Sequence, residues 1–147
     1  MNLLSLELSI AKYFGYRQNL IIPNVSWGMG LEYEADIMVI SQSRYCTEIE
    51  LKISKSDLKR DHNKRKWKHD KYCRYGGEII RRQFFGIPES LKDAIEFIPP
   101  QCGILIVSDL GKVHLERVVK LNKSRALTEK EYLHALQLAS MRTWTLK

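Results

Sequence analysis

The sequence predicts an α/β domain, a central mixed β-sheet flanked by helices, from three observations. Stretches near both ends space their apolar residues three and four apart, the helical period. Several short runs between them alternate apolar and polar residues or are continuously apolar, as strands are. Helix-like stretches are inserted among these runs instead of standing apart from them. A length of 147 residues with 44% hydrophobic residues supports one sizeable core and not two, so a single domain is expected over 1–147.

The elements can be taken in order. Residues 2–14 form an amphipathic helix whose apolar side carries Leu3, Leu6, Ile10 and Phe14, with Glu7 near the middle of that side. A strand is expected near 19–23, then a loop with Trp27, Gly28 and Gly30. Two strands follow, about 32–41 and 44–53, joined by the polar turn Ser41-Gln42-Ser43. Ser54 with Asp57 three residues on resembles a capping box that opens a basic helix, which Gly76-Gly77 should end. Beyond it come a strand at 83–86, a short helix at 90–97, and a hairpin of 103–108 and 112–119 turning at Asp109-Leu110-Gly111. Thr128 and Glu131 repeat the capping-box pattern and start a terminal helix with Leu133, Leu136 and Ala139 as its core stripe.

Composition narrows the function classes. The longest clean apolar run, 103–107, is far short of the roughly 20 residues a spanning helix needs, so no membrane partner is expected. Residues 1–14 lack a positive leader and a small-residue cleavage site, which points to the cytosol. Three scattered cysteines without a CxxC pair argue for reduced thiols, and His69 with Cys73 has no second ligand pair to make a zinc site. No GxSxG, Walker-type lysine loop or HxE deaminase pattern occurs, and the GMG at 28–30 precedes a strand instead of opening a helix. The net charge is +7, concentrated in Lys52, Lys55, Lys59, Arg60, Lys64, Arg65, Lys66, Lys68, Lys71 and Arg74. A polyanion is the natural partner of such a stretch, because neutralising phosphates releases counterions. Trp67, Tyr72 and Tyr75 lie on or near it and can either stack on bases or pack the helix onto the sheet. A solvated helix face, or a surface for an acidic protein, remains the plainer reading of the charge.

The chemistry is concentrated in the strand pair. In RYCTEIELKI, residues 44–53, alternation puts Tyr45, Thr47, Ile49, Leu51 and Ile53 on one face and Cys46, Glu48, Glu50 and Lys52 on the other. Asp36 stands in the core-like run EADIMVI, and a three-residue turn sets it across from Glu50, at a Cβ separation of roughly 4.5 to 5.5 Å. Two carboxylates that close repel unless a cation lies between them, and Mg²⁺ is typically held by one or two carboxylates. Lys52 then shares the face of Glu50 and can hold or help deprotonate an attacking water. Taken alone, a Glu-x-Lys pair on an exposed strand is a surface salt bridge; the apolar setting of Asp36 and the basic helix after Lys52 favour a site. Glu7, a carboxylate facing the core, is a further candidate metal ligand unless it pairs with a lysine.

Asp36, then thirteen residues, then Glu50-Leu51-Lys52 resembles the signature of the PD-(D/E)xK nuclease superfamily. The fuller run EADIMVI and TEIELKISKSDLKRD, with Lys66-Trp67, Tyr72, FFGIPE and CGILIVSDLG, is similar to the MmcB-like branch associated with bacterial DNA repair, over roughly residues 30–120. Ala35 stands where the superfamily usually has proline. The resemblance implies a restriction-endonuclease-like fold, Mg²⁺ or Mn²⁺ as cofactor, and catalysis by Asp36, Glu50 and Lys52. The metal ligands are then expected to be Asp36, Glu50, the Leu51 carbonyl and Glu7, with Lys55, Lys59, Lys64, Lys66 and Trp67 on DNA. A DNA-binding module that keeps the fold without cleavage is the main alternative, and a homodimer stays open.

Overall fold

The computed structural model describes residues 1–25, 34–71 and 78–145, with the backbone alone over 64–71. Helix α1 (Leu3–Phe14) leads into strands β1 (Leu20–Val25), β2 (Ala35–Ile40) and β3 (Cys46–Leu51). Helix α2 (Lys55–Lys71), strand β4 (Ile80–Pro88) and a 3₁₀ segment (Glu89–Phe97) follow, then β5 (Gly103–Val107), β6 (Val113–Arg117) and helix α3 (Glu129–Thr145). The six strands form one open mixed sheet in chain order. β1, β2 and β3 are antiparallel neighbours, β4 and β5 each run parallel to the strand before, and β6 returns antiparallel. Parallel neighbours need a crossover, and α2 and the 3₁₀ segment supply the two.

Period-2 alternation sorts the strand residues onto two covered faces. Ile37, Val39, Ile49, Leu51, Phe84, Leu105 and Val107 pack against Leu6 and Ile10 of α1. On the opposite face Ile22, Met38, Ile40, Cys46 and Ile80 meet Ala135 of α3 and Leu127 just before that helix. Further along that face Phe85, Ile87, Ile104 and Ile106 meet Leu58 of α2 and Leu91 and Ala94 of the 3₁₀ segment. The result is three layers with the sheet in the middle, which is why the central strands are buried on both sides. Among the described residues no helix is long and apolar enough to cross a membrane.

The helix starts follow their side chains. Asn2 Oδ1 accepts the Ser5 N–H at 2.8 Å, and Ser54 Oγ accepts the Asp57 N–H at 3.2 Å. At α3 the box is reciprocal: Thr128 Oγ1 accepts from Glu131 N–H at 3.2 Å while Glu131 Oε1 accepts from Thr128 N–H at 2.9 Å. Arg125 grips the same carboxylate at 2.7 and 3.1 Å, which holds the Glu131 carboxyl down at about 2.

Several boundaries and faces differ from the sequence expectation. β4 is longer than 83–86, because Arg81 and Arg82 interrupt its apolar pattern while Arg81 lies over the Tyr45 ring at 4.3 Å. The 90–97 segment is a 3₁₀ helix. On α1, Leu6 and Ile10 are buried as expected but Leu3 is exposed. The core stripe of α3 is corrected: Leu133 and Leu136 are 58% and 41% exposed, while Ala135 is buried and Tyr132, Leu138 and Ala139 pack beside it. Both sets have helical spacing, and Arg44 stacked 4.7 Å from the Tyr132 ring centroid favours the rotation observed. The loop with Trp27, Gly28 and Gly30 and the end at Gly76-Gly77 lie outside the described residues.

Candidate active site

The geometry of the site starts with the β2–β3 turn. Ser41 N–H donates to Tyr45 O at 3.0 Å and Arg44 N–H to Ser41 O at 2.9 Å, so the three loop residues are Gln42, Ser43 and Arg44. This is one residue later than the expected Ser41-Gln42-Ser43. Arg44 takes a left-handed conformation, φ 67°, as the last position of such a three-residue loop requires. The ladder then pairs Ile40 with Cys46 and Ile37 with Ile49, and continuing that register by one residue sets Asp36 across from Glu50.

At this end the two strands part. Hydrogen-bonded pairs recur every second residue, so the Leu51 N–H would next go to Ala35. It donates instead to Asp36 Oδ2 at 2.8 Å, and Ala35 pairs with Val25 of β1. The Lys52 N–H goes the other way, to Gly86 O of β4 at 3.1 Å. Asp36 therefore fills a fork in the sheet. Burial raises its carboxyl above the ordinary range, and Glu34 and Asp61 add to the rise; the Leu51 N–H and Lys52 oppose it.

Lys52 closes the fork. Its Nζ lies 3.1 Å from Glu50 Oε1 and 3.6 Å from Asp61 Oδ1, with the three side chains only 15% to 17% exposed. Burial works most strongly against its charge, but Glu50, Asp61 and Asp36 outweigh it and raise the ammonium above its ordinary value. Such a lysine is suited to holding phosphate or water by its charge, and poorly suited to accepting a proton. Glu7 of α1 is half-buried, and burial followed by repulsion from Asp36 raises its carboxyl.

The structure thus brings together Asp36, Leu51, Glu50 and Lys52; Glu7 lies near enough to Asp36 for the two charges to interact, but Glu7, Asp36 and Glu50 are not gathered into one group. Glu48 does not join them: it is 2% exposed under the helices of that face and accepts from Gln83 Nε2 at 3.5 Å. Lys55 and Lys59 are exposed on α2, with Lys59 Nζ 5.6 Å from the Phe97 ring centroid. The side chains of Lys64, Lys66 and Trp67 lie outside the described residues, as do those of Tyr72, Tyr75, His69 and Cys73. Asp61 was missed as a site residue, since in a helix dense with charge it looks like one more solvated carboxylate balancing the lysines and arginines around it. Its one signal is the position three residues after Leu58, on the face that α2 buries. Cys46 carries no chemistry here: burial pushes its thiol up to about 12.

The donor set suits a hard divalent cation, being carboxylate oxygens and a carbonyl with no thiolate or imidazole. It is not a preassembled cage. Among the described residues no three His, Cys, Asp or Glu side chains are gathered as a metal site, and Asp36 and Glu50 each already hold a partner. Ion binding would therefore draw on a Glu50 carboxylate that Lys52 already holds through Oε1.

No protein-family model matches the chain, and no curated protein is significantly similar to it. Among solved structures it resembles the SPO1766 protein of unknown function from Silicibacter pomeroyi, with a TM-score of 0.64 and 16% identity over 95% of this chain and 84% of that one. At that identity the likeness bears on the fold alone.

Proposed function

We propose that this chain is a Mg²⁺- or Mn²⁺-dependent phosphodiesterase acting on DNA, on a restriction-endonuclease-like form of the α/β sheet. The observation that carries the reading is the fork, where Asp36 takes the Leu51 N–H just beyond the last β2–β3 pair, Ile37 with Ile49, and Lys52 pairs with Glu50 alongside. Asp36 and Glu50, with Glu7 and the Leu51 carbonyl as further candidate ligands, would hold a divalent cation, which would supply Lewis-acid charge beside a phosphate. Lys52 contributes a fixed positive charge to the phosphate oxygens and orients the attacking water. Asp36, anchored on the Leu51 N–H, keeps the strand ends apart so that a backbone phosphate can approach. Lys55 and Lys59, exposed on the helix that starts three residues after Lys52, add phosphate contacts outside the fork.

A second reading, a DNA-binding module without cleavage, is favoured by one feature: Glu50 and Lys52 already satisfy each other at 3.1 Å, as a purely structural pair does. Metal binding separates the two. Mg²⁺ or Mn²⁺ should raise the melting temperature, since a ligand at a hundredfold excess over its Kd stabilises by roughly 2.7 kcal/mol. Asp36→Asn should abolish that rise. A variant that responds to Mn²⁺ as the wild type does would leave the module as the better account.

A further inference from the structure

Lys52 has two carboxylate neighbours of different origin. Glu50 comes from the same strand, two residues back. Asp61 comes from α2, which is seated by Leu58, fully buried among Phe85 and Ile87 of the sheet and Leu91 of the 3₁₀ segment, and by the edge contact of His62 with the Phe97 ring of that segment at 5.7 Å. The docking that buries Leu58 therefore brings Asp61, one turn later, to 3.6 Å from Lys52 Nζ.

The two carboxylates cannot serve Lys52 in the same way once a cation is bound. Glu50 would share its carboxylate between the ion and the ammonium, which weakens its hold on Lys52, and an ammonium beside a divalent cation is repelled by it. Lysine is a compact charge on a flexible four-carbon stem, so without another partner it would swing away from the fork. We infer that Asp61 is a positioning residue that retains Lys52 in the fork when Glu50 shares its carboxylate with the cation, an inference that rests on the nuclease reading above. Because Asp61 belongs to α2, the same pair also fixes Lys52 relative to the exposed Lys55 and Lys59, so that a phosphate backbone lying on the helix meets Lys52 in a set register.

The test uses Asp61→Asn, Lys52→Gln, the double variant and Asp61→Glu, with kcat and KM measured on labelled DNA in Mg²⁺ and Mn²⁺. Asp61→Asn should lower kcat roughly ten- to a hundredfold, as small misplacements of a reacting group do, with KM changed by about threefold or less. Asp61→Glu should recover most of the loss. In the Lys52→Gln background Asp61→Asn should cost no more than about twofold, because its effect runs through the lysine. Should Asp61→Asn not fold, Asp61→Ser takes its place in the same cycle. A wild-type kcat in Asp61→Asn, an equal loss in both backgrounds, or a loss that follows melting temperature and is not repaired by Asp61→Glu overturns the inference while the nuclease reading stands. Absence of cleavage by the wild type overturns that reading, and the role of Asp61 with it.

Discussion

Asp36→Ala and Asp36→Asn remove the same charge but leave different hydrogen bonds behind. Asp36 Oδ2 takes the Leu51 N–H at 2.8 Å in a part-buried position, with Leu51 itself buried, so water replaces the acceptor only incompletely. Alanine orphans that donor, at a cost of about 1–3 kcal/mol. Asparagine offers its own oxygen to the same N–H and discards a charge that burial, Glu34 and Asp61 all disfavour. In EDTA, Asp36→Asn should therefore be at least as stable as the wild type, and Asp36→Ala should lie below Asp36→Asn by about 1–2 kcal/mol. With a urea m-value of about 2 kcal/mol/M, their midpoints should differ by roughly 0.5–1 M. Equilibrium urea unfolding followed by far-UV circular dichroism reads this directly. Coincident midpoints, or an alanine variant above the asparagine one, would refute the fork as described.

Two further outcomes follow from the same geometry. Glu48→Gln should keep most cleavage activity and Glu50→Gln should lose nearly all of it, because Glu48 is enclosed beside Gln83 and only Glu50 opposes Asp36; equal losses in a kcat comparison would place the site elsewhere. Glu131→Gln should destabilise by about 1 kcal/mol at neutral pH, through loss of the Arg125 pair and weakening of the cap. Its folded-state carboxyl sits at about 2, below the ordinary 4.5, so this contribution is complete above 4.5 and vanishes as pH falls through 2. Urea titrations of the two proteins from pH 7 to pH 2 should converge, and a constant gap would mean that Arg125 does not depress this group.

The sheet was legible wherever one residue type had one use. Alternation in residues 44–53 assigned both faces of β3. The opposition of Asp36 to Glu50 did not follow from the expected turn, since a loop of Ser41, Gln42 and Ser43 would pair Ile40 with Arg44 and set Asp36 against Glu48; the observed loop lies one position later, with Arg44 in a left-handed conformation, and that register brings Glu50 opposite. Legibility failed where tertiary cover decided. Glu48 and Glu50 are equivalent in the pattern, but only one lies beneath the helices. The two stripes of α3 have the same period, and only contacts with β1, with its strand neighbours and with Arg44 distinguish the face carrying Ala135 from the one carrying Leu133. Asp61 was hidden for a similar reason, since its approach to Lys52 depends on how Leu58 seats α2 and not on any local spacing. The arginines of β4 disguised a strand because cation–π stacking, which alternation does not encode, accommodates one of them.

The central claim is tested most directly by incubating end-labelled duplex, single-stranded and forked DNA with the wild type, Asp36→Asn and Glu50→Gln, each in Mg²⁺, Mn²⁺ or EDTA, and measuring cleavage and binding together. The account predicts cleavage by the wild type in Mg²⁺ or Mn²⁺ alone, none by either variant, and DNA binding by the variants within a few-fold of wild type, since each removes a negative charge from a site that must accept phosphate. DNA left intact by the wild type in every reaction, or cut equally well by Asp36→Asn, would contradict it.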